Sequence, residues 1–168
     1  MQPESELLFR KTPRRVLVIG LDGASFDLIH PWIEQGLLPT FKKIIEQGAS
    51  GPLTTIIPPL TGPAWISFMT GKNPGKHAVY DFVIRSNRGY TGIPINASHR
   101  DGESLWRIFS DAKKRVGVFA VPATYPPEPV NCFMVTGMLT PAQASDFTYP
   151  IGLRAELAAV VPSLSVTP

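Results

Sequence analysis

The sequence predicts an α/β fold built on a largely parallel sheet. Three features carry that expectation: apolar runs without alternation, helix-period segments between them, and Gly or Pro at the junctions. Val16–Leu21 (VLVIGL), Arg115–Val121 (RVGVFAV) and Cys132–Thr136 are the runs. Continuous apolar runs suit strands covered on both faces, as in parallel sheets. Parallel neighbours need crossover connections, and helix patterns stand between the runs to supply them. The 168 residues are 43% hydrophobic and 17% charged, which suits one folded domain with a real core.

Taken in order, residues 1–14 are polar and expected to form a flexible N-terminal segment. Val16–Leu21 is the first strand, followed at once by Asp22-Gly23. A carboxylate at the C-terminal end of a central parallel strand stands where such folds place chemistry, although Asp-Gly is also a common turn pair. Ser25–Gln35 reads as a helix broken near Pro31 and ended by Gly36. Pro39–Gln47 reads as a second, stopped by Gly48, and Leu53–Ile57 as a strand. A helix opens near Thr61, with Thr61 as N-cap and Pro63 in the first turn, and ends at Gly71 and Pro74. Thr61, Trp65, Phe68 and Met69 fall on one face. Tyr80–Asp101 reads as a long loop with a hairpin, where Arg85, Arg88 and Arg100 could meet an anion. Glu103–Ala112 is a helix with Leu105, Trp106, Ile108 and Phe109 inward, and Pro150–Val161 is the last helix.

Composition excludes several classes. A single cysteine, Cys132, rules out an internal disulfide framework; within the apolar run Val130–Val135 a buried thiol is expected. No apolar stretch reaches membrane-span length and the N-terminus has no signal-peptide core, so a cytoplasmic protein without a membrane partner is expected. The net charge of +3 comes from short runs around Arg14 and Lys114 that lack interleaved aromatics, which argues against nucleic acid. Gly20 and Gly23 do not have dinucleotide-fingerprint spacing.

The stretch Ile57–Phe82, IPPLTGPAWISFMTGKNPGKHAVYDF, concentrates the chemistry. A hydroxyl at a helix head faces unpaired backbone N–H groups and the positive end of the helix dipole. Such a place suits a phosphate and favours an alkoxide over an alcohol. Asp22 and Thr61 would lie on the same rim of a parallel sheet and could share a divalent ion, although two donors are too few to hold zinc.

VLVIGLDG followed by PPLTGPAWISFMTGKNPGKHAVYDF resembles the alkaline phosphatase superfamily, and within it the type I phosphodiesterase/nucleotide pyrophosphatase group in its phosphohydrolase or phosphomutase branch. The resemblance covers about residues 15 to 160. It implies a three-layer α/β/α sandwich, of which residues 15–168 would be the N-terminal part, incomplete in this chain. It also implies hydrolysis of a phosphorylated small molecule through a phospho-threonine intermediate. Thr61, nine residues before Thr70-Gly71, matches the nucleophile and metal ligand; Asp22 matches a metal ligand. Two divalent ions are implied, zinc or else manganese.

Three departures accompany the resemblance. Phe82, 21 residues after Thr61, stands where the nucleotide pyrophosphatases keep an Asn. His77-Ala78 replaces His-Gly, so a positive φ there would be strained; His77 itself is expected to be structural. The later Asp and His ligands, including an Asp-His pair, have no counterpart, since the histidines are His30, His77 and His99 alone. Two alternatives remain beside hydrolysis: a phosphomutase, or a catalytically silent domain that binds a phosphorylated ligand or a partner chain. Sulfatases are disfavoured because the Arg of their Cys/Ser-x-Pro-x-Arg signature is replaced by Trp65.

Overall fold

The structure is a computed structural model that describes residues 15–85 and 92–161. The expected flexible segment 1–14 and the candidate Arg88 lie outside these residues. The chain divides into two compact units, Met1–Pro52 and Leu53–Pro168.

In the first unit, α1 (Phe26–Glu34) and α2 (Pro39–Gln47) are neighbours. The helix α1 runs through Pro31 rather than breaking there. Pro31 forfeits only its own bond to the carbonyl four residues back, and the Gln35 amide still donates to the Pro31 carbonyl at 3.1 Å. Gly36 follows with φ +75°. Neither helix buries a residue, and Ile44 is 62% exposed. The run Val16–Leu21 takes no strand pairing, contrary to expectation, and Leu17 is 84% exposed. An apolar run becomes a strand only where another strand answers its N–H and C=O groups, and the described residues supply none.

In the second unit Leu53–Ile57 is likewise not a strand, with Leu53 95% exposed. The helix α3 (Thr61–Thr70) ends at Gly71 with φ +65°, and α4 (Pro74–His77) follows. The expected hairpin is present: β1 (Val83–Arg85) pairs antiparallel with β2 (Gly92–Pro94), Val83 opposite Pro94. A 3-10 turn, Ala97–His99, leads to α5 (Leu105–Asp111). Then come β3 (Val116–Val121), β4 (Cys132–Thr136), β5 (Thr148–Tyr149) and α6 (Leu153–Val160).

The sheet is mixed and has the order β3-β4-β5: β3 and β4 are parallel, β4 and β5 antiparallel. The chain is thus mixed α/β, with one parallel pair among the described residues where a mostly parallel sheet was expected. Ala120, at φ +56°, bulges out of the register between Phe119 and Val121. Gly137 makes room for that bulge, because a Cβ there would fall 2.4 Å from the Ala120 carbonyl.

The core of this unit gathers Ile66 and Met69 of α3, Val79, Ile95, Trp106, Val118 and Met134. Burying a side chain such as Ile66 or Met69 contributes roughly 1.5–3 kcal/mol. The buried residues of α3 are Gly62, Pro63, Ile66 and Met69; of the expected face Thr61, Trp65, Phe68 and Met69, only Met69 is among them. Phe68 is 47% exposed. Likewise α5 buries Trp106 alone and leaves Leu105, Ile108 and Phe109 exposed. The Trp106 indole N–H, on the buried side of that helix, donates to Glu128 at 3.0 Å. Cys132 is exposed rather than buried, at the first position of β4 with φ +155°. No described helix is long and apolar enough to cross a membrane.

Candidate active site

Asp22 belongs to the first unit. It sits in the turn Leu21–Ala24, closed by the Ala24 amide donating to the Leu21 carbonyl at 3.4 Å. Gly23 takes φ +69° at the third position, which a turn of this kind reserves for glycine. The turn reading of Asp-Gly therefore holds, and it leaves the Asp22 side chain exposed.

Thr61 belongs to the second unit and is half-buried as the first residue of α3. The N-cap place expected for Thr61 is held by Leu60, with φ −115° and ψ 145°. Leucine has no side-chain acceptor, so this N-cap residue makes no side-chain cap. Gly62 and Pro63 are buried behind it. A Cβ on Gly62 would lie 2.9 Å from Ile95 Cδ1, and 3.6 Å from both the Asp81 carbonyl and Phe82 Cδ1. Phe82, which stands where the resemblance expects an amide, thus flanks the helix head with an apolar ring edge.

His77 is fully buried and bridges the far end of this element. The Val79 amide donates to its Nδ1 at 3.2 Å, so the ring proton belongs on Nε2, which meets Ser67 Oγ at 2.9 Å. Its backbone carbonyl accepts from the Asp101 amide at 3.1 Å. Burial pushes the His77 pKa below 6.5, and the Lys72 ammonium adds to the effect. Such a histidine is a neutral anchor, in keeping with the structural role expected of it. Ala78 beside it has φ +64°, the strained position foreseen when alanine replaces glycine.

The arginines separate sharply. Arg85 is exposed at the end of β1. Arg100, expected in a substrate-facing loop, is instead buried, with a side chain 6% exposed, and paired with Glu128. Its Nη1 also donates to the Ala97 carbonyl at 3.1 Å. Glu128 collects two further donors, Ser104 Oγ at 2.9 Å and Trp106 Nε1 at 3.0 Å. A carboxylate so engaged closes the arginine off from ligand. Nothing in the local sequence signals this pairing, because its members stand 28 residues apart.

Donors for a metal are few. Asp22 and Thr61 offer one carboxylate and one hydroxyl, and no group of three or more His, Cys, Asp or Glu is gathered among the described residues. Structural and catalytic zinc sites take three or four protein ligands. The described residues therefore do not by themselves fit a pair of ions. A cleft of about 350 Å³ lies between Ile56, Ile57, Asn73, Pro74, Gly75 and Tyr80. Its lining has no carboxylate, histidine or cysteine, so it supplies no missing donor.

The sequence pattern of a family described as type I phosphodiesterase / nucleotide pyrophosphatase matches residues 16–164. No curated protein and no solved structure matches the chain.

Proposed function

The chain belongs to the type I phosphodiesterase / nucleotide pyrophosphatase family, and we propose that it hydrolyses phosphoric esters with Thr61 as nucleophile. Family membership implies a phosphodiesterase or pyrophosphatase type of hydrolase acting on phosphorylated small molecules. The observation that carries the assignment of Thr61 is its place as the first residue of α3, directly after an N-cap leucine that has no side-chain acceptor. Backbone N–H groups and the helix dipole there favour a phosphoryl oxygen and a developing negative charge.

In the proposed reaction the Thr61 hydroxyl passes its proton to solvent water and its oxygen pair forms a bond to phosphorus. The bond from phosphorus to the leaving oxygen breaks, and that oxygen departs with the electron pair and is protonated. Water then attacks the phospho-threonine, the P–Oγ1 bond breaks, and Thr61 and a phosphate product are released.

The family is generally zinc-dependent. We assign Asp22 and Thr61 as donors in ion binding; no group of three or more His, Cys, Asp or Glu is gathered among the described residues. A bound divalent ion lowers the pKa of a ligated hydroxyl and polarises a phosphoryl group.

The test compares wild type with Thr61→Ala and Asp22→Asn in a divalent-metal-dependent assay on p-nitrophenyl phosphate esters, with circular dichroism to follow the fold. Both variants are expected to keep the fold and to lose activity by at least about a thousandfold. Mass spectrometry of quenched wild-type enzyme is expected to place one phosphoryl group on the peptide holding Thr61. Full activity in either variant overturns its assignment. Ligand binding without turnover in the wild type would favour the silent-domain alternative.

A further inference from the structure

We propose that Gly62 is a positioning residue: its missing side chain lets the head of α3 sit against Ile95, and that close seat fixes where Thr61 points. The proposal rests on Thr61 being the nucleophile. Two facts make the seat rigid. Ile95 is fully buried, and its amide donates to the Phe82 carbonyl at 2.9 Å, just beyond the β1–β2 register. A methyl at position 62 would come within 2.9 Å of Ile95 Cδ1, closer than real Cβ contacts come. Although Cδ1 is a side-chain end, a fully buried isoleucine turns away only if its packed neighbours move too. The next atoms, at 3.6 Å, stand at ordinary contact distance. The clash that alanine would create is therefore with Ile95 Cδ1 alone.

Backbone preference points the other way. Gly62 is helical and is not among the positive-φ glycines, so alanine suits its conformation and raises helix propensity. A role confined to helix stability would be improved by alanine, whereas a seat for the nucleophile would be spoiled by it. The two roles thus separate in one substitution.

The experiment uses the full chain, bis(p-nitrophenyl) phosphate and a divalent metal, and reads kcat, KM and melting temperature. Gly62→Ala is expected to lower kcat about tenfold with KM nearly unchanged, since small misplacements of a reacting group act on the chemical step. Ile95→Val deletes Cδ1, so Gly62→Ala/Ile95→Val is expected to regain most of the lost kcat. Unchanged kcat in Gly62→Ala overturns the proposal, as does a folded double variant that keeps the deficit. Should Gly62→Ala fail to fold, the double variant decides: folded and active supports the seat, unfolded or inactive overturns it. An inactive wild type, or an active Thr61→Ala, instead overturns the functional assignment itself.

Discussion

The helices α2 and α3 are of nearly equal length, and both have an apolar stripe, yet they bury different amounts. No residue of α2 is buried, and Ile44 on its stripe is 62% exposed, while α3 buries Ile66 and Met69 completely. The difference lies in what stands opposite. Ile66 and Met69 belong to one buried cluster with Ile95, Val79, Val118 and Met134, and Gly62 has no Cβ to hold Ile95 away. Amphipathic spacing tells which residues form a helix and which side could be covered. Coverage itself needs an opposing surface of matching shape.

The sharpest test of that contrast is polar. Glu128→Ala leaves Arg100 buried without its carboxylate, and removing one partner of a buried pair costs about 3–5 kcal/mol. Denaturant unfolding is expected to show the loss in midpoint, and a change under about 1 kcal/mol would mean the pair is hydrated in solution. Next comes Met69→Ala in α3, expected to cost about 2–5 kcal/mol through lost contacts and a cavity. Its counterpart Ile44→Ala in α2 should stay within about 0.5 kcal/mol, as surface substitutions do. An Ile44→Ala cost like that of Met69→Ala would show that α2 is covered in solution and would erase the contrast.

His77 gives the comparison a pH axis. The unfolded chain binds a proton on this imidazole at the ordinary value near 6.5, whereas burial lowers the value in the folded chain. The unfolded state therefore holds more protons below pH 6.5, and stability falls as pH drops through that value until the folded-state pKa is reached. Thermal melts across pH are expected to show this loss in wild type, with a shallower slope in His77→Gln. Equal slopes for the two proteins would count against a buried neutral His77.

Much of this was legible in the sequence, for identifiable reasons. The bounds of α2 and β4 and the end of α3 at Gly71 follow from Pro, Gly and apolar runs that act locally. The strained φ at Ala78 followed from the replacement of a motif glycine. What could not be read depends on partners distant in the chain. Val16–Leu21 has strand composition, but pairing is a property of two segments. Thr148–Tyr149 is too short to announce itself and exists through Met134 and Val135 opposite it. Arg100 reads as a loop cation until Glu128 is known to close over it. At the site, the spacing of Thr61 to Thr70-Gly71 was visible, whereas Leu60 taking the cap place and the lack of room for a Cβ on Gly62 beside Ile95 depend on the folded chain.

The carboxylate of Glu128 also has a consequence in time. It ties together Arg100, Ser104 and Trp106, all of which leave the ribosome before it does. For 28 residues of synthesis the guanidinium of Arg100 stays with water, because its partner does not yet exist. The entropy of closing that loop must be met before the pair gives anything back. The polar knot is therefore a late fastener in synthesis, tying the head of α5 to a segment made after it.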